Sequence, residues 1–286
     1  ALIAFGDDCD IWGKGHANFN DPPDFYSYDG IFTIENYGLS WLPDISRCWR
    51  ALRIYWVIDA HWQHSEPFDK VLPQYDIVLH STRRFIRPYK ERFIKPKHVY
   101  FPNGVDSRFF DRAIYPPNAK SLSDVIFIGG KAAPRADAID YMVQHGMEYR
   151  YGVTGLSYVE AILRAKMQWN MGLNGDINYR NWETIGLGTC LLTQYDPEME
   201  LLGFKHDVNC LFYDTAEGAA LLAKKYIDNG EWKRIGDNGY LLAQEHTYYL
   251  RIKKLLHNLF VNESCQTLWN TPTPTSAITS PTPSTP

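Results

Sequence analysis

Two side chains of opposite charge stand three positions apart in the segment R-N-W-E-T-I-G-L-G-T-C-L-L-T, residues 180–193. On a helix, Arg180 and Glu183 would share one face, and the glycines that follow predict the end of that helix before an apolar, strand-like run. Unpaired N–H groups at a helix N-terminus favour a phosphate, and a nearby carboxylate can bind ribose hydroxyls. The segment therefore predicts half of a nucleotide site.

A surface ion pair between Arg180 and Glu183 is the plainer interpretation of the same spacing, and it would contribute only about 0.2–0.5 kcal/mol. A charge-assisted contact from Arg180 to a phosphate would contribute more, about 1.5–3 kcal/mol. A polar run that begins just upstream favours the binding site: Asn174, Asp176, Asn178 and Asn181. We therefore expect this polar run to line the nucleotide.

A second phosphate-binding candidate follows the apolar run at residues 125–128. Gly129 and Gly130 come directly after this run, and Lys131 and Arg135 follow near the expected start of a helix. Glycines allow the backbone to approach a ligand closely, and two cations would neutralise a diphosphate. The segment is neither a P-loop nor a full G-x-G-x-x-G, and a glycine pair after a strand is more often only a turn.

Three residues of the first half are candidates for a catalytic base. The apolar run at 54–58 ends at Asp59, with His61 two positions later, and the carboxyl ends of parallel strands line the ligand crevice of α/β sheets. Either side chain could deprotonate an acceptor hydroxyl. His16, in the loop G-K-G-H, is a rival candidate. The structural alternatives are that Asp59 caps a helix and that the histidines are ordinary surface residues.

A basic segment extends from Arg83 to Lys97 and contains seven Lys or Arg residues against one acid, Glu91. Phe85, Tyr89 and Phe93 recur in it at four-residue spacing, which predicts the core face of a helix with its charges in solvent. The functional alternative is contact with an anionic acceptor, such as a phosphorylated glycan, a lipid headgroup or DNA.

Composition excludes several classes of protein. The formal net charge of -4 gives no overall attraction to nucleic acid or anionic membranes, and no stretch approaches the roughly 18 apolar residues of a membrane span. The five cysteines are widely spaced and lack a C-x-x-C pair, so we expect neither a disulfide framework nor a zinc site. A cytoplasmic location fits this cysteine usage best.

Apolar runs alternate with helix-length segments along the chain, which is typical of parallel βαβ units. The predicted strands are residues 2–5, 30–34, 54–58, 77–79, 98–101, 125–128, 147–151, 169–173, 190–192 and 210–212. The predicted helices are residues 42–52, 66–72, 135–144, 156–166, 179–187, 215–228 and 231–259. A Pro- and Ser-rich break at 115–123 indicates a linker. We therefore expect an α/β protein with Rossmann-like domains at 1–118 and 119–262, and a disordered Pro/Thr/Ser tail at 263–286.

Five ordered motifs in the second half carry a family resemblance: F-I-G-G-K-x-x-x-R at 127–135, Y-R-Y-G at 149–152, Y-V-E-A-I-L-R-A-K at 158–166, R-N-W-E-T-I-G-L-G at 180–188 and E-H-T-Y-Y-L-R at 245–251. Together they resemble the nucleotide-binding half of the GT-B glycosyltransferases, nearest to the group with a CgeB-like, glycosyl transferases group 1 type C-terminal domain. P-N-G-V-D at 102–106 is similar to the segment that closes the first domain in many of these enzymes. The resemblance covers residues 97–256, and before residue 97 it is only architectural.

The resemblance implies a role for each matched residue. Glu183 would hold the ribose hydroxyls of the donor, while Arg180 and Arg135 would face the diphosphate together with the backbone at Gly129 and Gly130. Tyr151 and Gly152 would lie near the base.

One position departs from the pattern. Many retaining relatives carry a second glutamate eight positions before the ribose glutamate, and here that position is Gly175, with Asp176 beside it. The stereochemical course is therefore left open.

The resemblance also implies the activity. We expect a metal-independent glycosyltransferase that needs no cofactor and moves a hexose or pentose from a UDP- or GDP-sugar to a carbohydrate or other hydroxyl acceptor, which could be anionic through the basic segment. No stable nucleic-acid partner is expected. The alternatives are a DNA-modifying glycosyltransferase, a non-catalytic nucleotide-sugar or glycan-binding protein and, as a weaker option, a sugar-nucleotide epimerase.

Overall fold

The computed structural model describes residues 9–35, 39–59, 66–111 and 123–261. Two parallel β-sheets with helices packed against them make up this part of the chain, which confirms the predicted α/β class. The predicted strand at 2–5, most of the linker at 115–123 and the tail at 263–286 lie outside the described residues, and the domain boundaries at 118 and 262 stay predictions. No helix in the described ranges is long and apolar enough to cross a membrane.

The first sheet has four parallel strands in chain order. Its strands are β1 (Gly30–Ile34), β2 (Leu52–Val57), β3 (Ile77–His80) and β4 (Lys97–Tyr100). Its helices are α1 (Glu66–Val71) and α2 (Ile86–Arg92). The central strands β2 and β3 are buried almost throughout because helices cover both faces of a parallel sheet. Tyr89 and Phe93 of the basic segment are buried, as their spacing predicts.

The second sheet contains five parallel strands in the order β6-β5-β7-β8-β9. These are β5 (Ser123–Ile128), β6 (Met147–Arg150), β7 (Ala165–Asn170), β8 (Cys190–Gln194) and β9 (Leu211–Tyr213). The accompanying helices are α3 (Ala136–Gln144), α4 (Gly155–Leu163), α5 (Tyr179–Gly186), α6 (Pro197–Leu201), α7 (Ala216–Asp228) and α8 (Trp232–Gln244). Strand β6 pairs with one side of β5, and the next strand in the chain, β7, pairs with the other side. The strand order therefore reverses at this point, and a crevice opens where the carboxyl ends of β5 and β7 diverge.

The last described helix, α9 (Tyr248–Val261), crosses back to the first sheet. Ile252 and Leu255 of α9 are buried in one cluster with Ile54, Trp56 and other residues of the first sheet. The crossing begins where the backbone of Val105 pairs with Thr247, whose hydroxyl also accepts a hydrogen bond from the N–H of Leu250. This N-cap starts a new helix, so the single helix predicted for 231–259 is in fact two.

The helix predicted for residues 42–52 is absent, and turns occupy this stretch up to the start of β2. Asp44 accepts a hydrogen bond from the N–H of Ser46, and the N–H of Ile45 donates to the side chain of Gln74. Such local side-chain bonds compete with helical hydrogen bonding, and Pro43 removes a further backbone donor. Apolar periodicity alone did not reveal this competition.

Candidate functional site

Arg180 lies in the crevice at the reversal of strand order. Its Nη1 donates to Oδ1 of Asn170, which ends β7, and its Nη2 donates to the carbonyl of Ile128, which ends β5, both at 2.8 Å. The guanidinium carbon is 4.7 Å from the ring centre of Phe127. The side chain thus bridges the carboxyl ends of the two diverging strands.

Gly129 makes room for this guanidinium. A Cβ atom at Gly129 would lie 2.6 Å from Nη2 of Arg180, which is closer than two such atoms can pack. A side chain at this position would displace the guanidinium from the place where it bonds to Ile128 and Asn170. The predicted approach of a ligand to Gly129 and Gly130 remains a prediction.

Arg135 approaches the same crevice from the start of α3. Its Nε donates to the carbonyl of Gly130 at 3.1 Å, and its Nη1 donates to the carbonyl of Met171 at 3.0 Å. Its guanidinium also faces the ring of Phe127, at 5.1 Å. Burial, and then the positive charge of Arg180, lower the pKa of Arg135. Two positively charged guanidiniums that lie close together with little solvation would be stabilised by a bound anion.

Glu183 lies one helical turn after Arg180 but does not pair with it. Within the described residues, Glu183 accepts a hydrogen bond from the hydroxyl of Tyr158 at 2.6 Å, and the guanidinium of Arg180 bonds to Asn170 and Ile128 instead. The surface ion pair weighed from the sequence is therefore not formed. Burial and the charge of Glu183 raise the pKa of Tyr158, so the phenol remains a donor.

The polar run around Arg180 divides into two groups. Asn181 is buried and accepts from Nδ2 of Asn170 at 2.9 Å, and Asn178 donates to Oδ1 of Asn170 at 3.2 Å. These two amides therefore position Asn170, which in turn positions Arg180. Asp176 is partly exposed, and its negative charge acts on both Arg135 and Arg180.

The remaining donor-site candidates lie at the rim. Lys131 forms an ion pair with Asp140 of α3, so its charge is directed toward that helix. Tyr151 follows β6 and is 75% exposed, and Gly152 is exposed beside it with φ +71°. Because β6 is parallel to β5 and next to it, Tyr151 and Gly152 lie at the same carboxyl end of the sheet as the crevice that holds Arg180. The ring of Tyr151 offers a stacking surface there.

A cavity of about 730 Å³ extends along β1, which is an edge of the first sheet among the described strands, and we name it the aromatic cavity. Its lining includes Trp12, Phe25, Trp41, Trp56, Tyr179 and Tyr248. His16 also lines it, as one of the exposed residues. Tyr179 directly precedes Arg180, so the cavity reaches the helix that carries the arginine and the carboxylate.

Glu35 follows β1 and lines the aromatic cavity. One of its carboxylate oxygens accepts hydrogen bonds from the backbone N–H of Ile58 and, at 2.6 Å, from that of Asp59. Burial raises the pKa of Glu35 to about 7, against the lowering effect of those two bonds. Asp59 is thus placed beside another carboxylate, and His61 lies outside the described residues.

The sequence missed Glu35 and Tyr158. Glu35 had the signal that selected Asp59, since it is a carboxylate at the end of a predicted strand. Tyr158 is 25 positions from Glu183, and no spacing rule connects a helix residue to a partner at that separation.

The basic segment faces acids of the second half. The backbone N–H of Arg83 donates to both oxygens of Glu198, at 3.0 and 3.1 Å, and Arg84 forms an ion pair with Asp196. Two further arginines of the segment pair with acids of the first half, Arg92 with Asp69 and Arg87 with Glu91. Three of its seven basic side chains are therefore paired with acids of the chain.

Comparison with known proteins agrees with this geometry. Residues 120–257 match the model of a family described as glycosyl transferase-like. No curated protein sequence matches the chain.

Solved structures extend the likeness to the first sheet. HepE of Anabaena, in complex with UDP and glucose, has a TM-score of 0.59 at 14% identity over 82% of this chain and 78% of HepE. An α-glucosyltransferase in complex with UDP and a mismatched 13-mer DNA has a TM-score of 0.59 at 8% identity, over 80% of this chain and 79% of that one. The fold is GT-B. The pneumococcal O-GlcNAc transferase GtfA, in complex with UDP and GlcNAc, has a TM-score of 0.52 at 10% identity over 75% of this chain. The match spans only about half (53%) of the length of GtfA.

Proposed function

We propose that the protein transfers a sugar from a nucleoside-diphosphate sugar to a hydroxyl group of an acceptor. The observation that carries the proposal is the convergence of Arg135 and Arg180 on one crevice of a GT-B fold, with Glu183 one helical turn away. The guanidiniums suit the diphosphate, and the carboxylate suits the ribose hydroxyls.

We propose UDP as the nucleotide, because HepE, GtfA and the α-glucosyltransferase all have UDP bound. The base would stack near Tyr151, which is exposed at the same edge of the sheet. The CgeB-like subtype and the cytoplasmic location belong to this proposal as well.

We propose that no metal is needed. Charge that develops on the leaving diphosphate would be met by Arg135, Arg180 and the N-terminus of α5, which are already in place before the reaction. A chelator should therefore leave donor turnover unchanged. Loss of activity with chelator, restored by manganese, would contradict this part of the proposal.

A DNA acceptor is the alternative that the α-glucosyltransferase neighbour raises, since that protein has DNA bound. In this chain, Arg84, Arg87 and Arg92 of the basic segment pair with acids, which weakens the case for a DNA-binding surface. Retention on duplex DNA that falls steeply with salt would revive the alternative.

Slow donor hydrolysis tests the proposal. The wild type should release free sugar from UDP-glucose or another UDP-sugar, and Glu183→Ala should do so more slowly because its donor binding is weaker. A non-catalytic binding protein would bind the donor without cleaving it, and an epimerase would return an isomerised donor.

A further inference from the structure

We infer that the aromatic cavity is the acceptor site, that it takes an uncharged carbohydrate, and that Glu35 accepts the proton of the reacting hydroxyl. The inference rests on the proposed transfer reaction, which does not itself name an acceptor or a base. Three features of the cavity carry it: the rings of its wall, the balance of its charges, and the carboxylate that projects from the end of β1.

Aromatic rings dominate the wall. Ten of the 26 lining residues are Phe, Tyr or Trp, and Trp12 packs against Phe25 and Trp41 with ring centres 5.6 Å apart in each pair. Rigid rings present flat apolar faces, and the C–H faces of a sugar ring can stack on them at little cost in side-chain entropy. The volume of about 730 Å³ is in the range of small-molecule sites.

The charges in the wall disfavour an anionic acceptor. The charged side chains in the described lining are Asp10, Lys14 and Glu35, so two carboxylates stand against one cation. Asp10 accepts a hydrogen bond from the hydroxyl of Tyr28 at 2.5 Å. A phosphate placed here would meet more negative than positive charge, whereas the hydroxyls of a neutral sugar can donate to carboxylates.

Glu35 is held in a fixed position in the wall of the cavity. Backbone N–H groups of Ile58 and Asp59 bond to one carboxylate oxygen. Tyr179 also lines the cavity, and the pKa of its phenol is raised by burial and then by surrounding charges, including those of Glu35 and Glu183. Tyr179 is therefore within electrostatic reach of both carboxylates.

The chemical step balances as follows. The acceptor oxygen forms a bond to the anomeric carbon while the bond between that carbon and the β-phosphate oxygen breaks. The bonding electron pair leaves with the nucleoside diphosphate, and the proton of the acceptor hydroxyl passes to Glu35. Asp59, Tyr89 and Tyr179 are the titratable groups of the described residues that face Glu35.

The direct test replaces Glu35 with Gln, which keeps the size of the side chain but is not a base. With UDP-glucose and UDP-N-acetylglucosamine as donors and p-nitrophenyl hexosides as neutral acceptors, kcat should fall about 100-fold or more, with an unchanged acceptor KM. The wild-type kcat should also decline as pH falls through about 7, because Glu35 becomes protonated. The kcat of Glu35→Gln should not show this decline. Glu217→Gln, which changes an exposed carboxylate of α7, is the matched control and should behave as wild type.

Two kinetic results would overturn the inference. One is wild-type kcat in Glu35→Gln, and the other is preferential transfer to hexose 6-phosphates over the neutral hexosides. Tryptophan fluorescence gives an independent measure, because Trp12, Trp41 and Trp56 line the cavity. If millimolar methyl hexosides with UDP leave that fluorescence unchanged, the cavity is not the acceptor site.

Failure of the proposed function gives a different pattern. In that case neither the wild type nor Glu35→Gln would transfer a sugar to any of the acceptors, whether or not a UDP-sugar stabilises them. Failure of the present inference alone would leave donor stabilisation and transfer intact in both proteins.

Discussion

At the crevice between β5 and β7, the position of each charged side chain depends on the partner that holds it. Arg180 is held by the ends of β5 and β7, while Glu183 is held by Tyr158 on α4. The sequence predicted both charged residues, because three-residue spacing places them on one face of a helix. It could not predict their partners, because Asn170 and Tyr158 reach the crevice only through the packing of separate elements.

Tyr158→Phe tests the support of the carboxylate. Without the hydroxyl, Glu183 would lose a charge-assisted hydrogen bond, and we expect UDP to bind about tenfold more weakly, which corresponds to about 1.4 kcal/mol. Titration calorimetry with UDP measures this. Tyr26→Phe, an exposed tyrosine of the first half, is the control. An unchanged Kd in Tyr158→Phe would show that Tyr158 does not position Glu183.

The raised pKa of Glu35 predicts how stability depends on pH. Its folded-state pKa of about 7 lies above the ordinary value of 4.5, so between these values the folded chain holds a proton that the unfolded chain has lost. Linkage then lowers the free energy of unfolding as pH rises from about 4.5 to 7, by about 3 kcal/mol at most. Glu35→Gln removes this contribution. Urea denaturation near pH 5 and near pH 8 measures how much unfolding free energy each protein loses as pH rises. This loss should be smaller for Glu35→Gln than for the wild type, and equal losses would contradict the raised pKa of Glu35.

At the scale of elements, apolar runs located the strands well, and burial explains why. The run at 30–34 is β1, and the runs at 77–79 and 125–128 fall within β3 and β5, because short apolar stretches are stable only when both sides are covered. The strand predicted at 169–173 lies earlier, at Ala165–Asn170, since α4 ends at Leu163 and leaves room for it.

The position of α9 could not be predicted from its sequence. Periodicity identifies an apolar face on a helix, but it does not say which sheet that face covers. In the structure, Ile252 and Leu255 pack on the first sheet, although the helix follows the second sheet in the chain. The helix therefore ties the two halves together.

Leu255→Ala tests this tie. Leu255 is 2% exposed between α9 and the first sheet, so its truncation should lower the free energy of unfolding by about 2–5 kcal/mol. Leu250→Ala on the same helix is the control, because Leu250 is 41% exposed and should cost much less. Urea denaturation measures both. Similar values for the two variants would mean that α9 contributes little to the contact.

At the scale of the molecule, polar contacts bring the two halves together beside the site. Asn103 donates to the carbonyl of Ile177 at 3.1 Å, and Glu198 accepts from the backbone of Arg83. The second contact involves the basic segment, which the sequence alone offered as a surface for an anionic partner. The aromatic cavity likewise draws on segments far apart in the chain, from Trp12 to Ile252, so no motif could reveal it.

The central claim is that Glu183, Arg135 and Arg180 bind a nucleotide sugar. Thermal unfolding with UDP-sugars tests it most directly, because a ligand at 100 times its Kd adds about 2.7 kcal/mol to the free energy of unfolding. We predict that a UDP-sugar raises the Tm of the wild type and of Glu217→Gln, and that Glu183→Ala loses most of the shift while keeping its Tm without ligand. No shift for any UDP- or GDP-sugar in the wild type, or an equal shift in Glu183→Ala, would contradict the account.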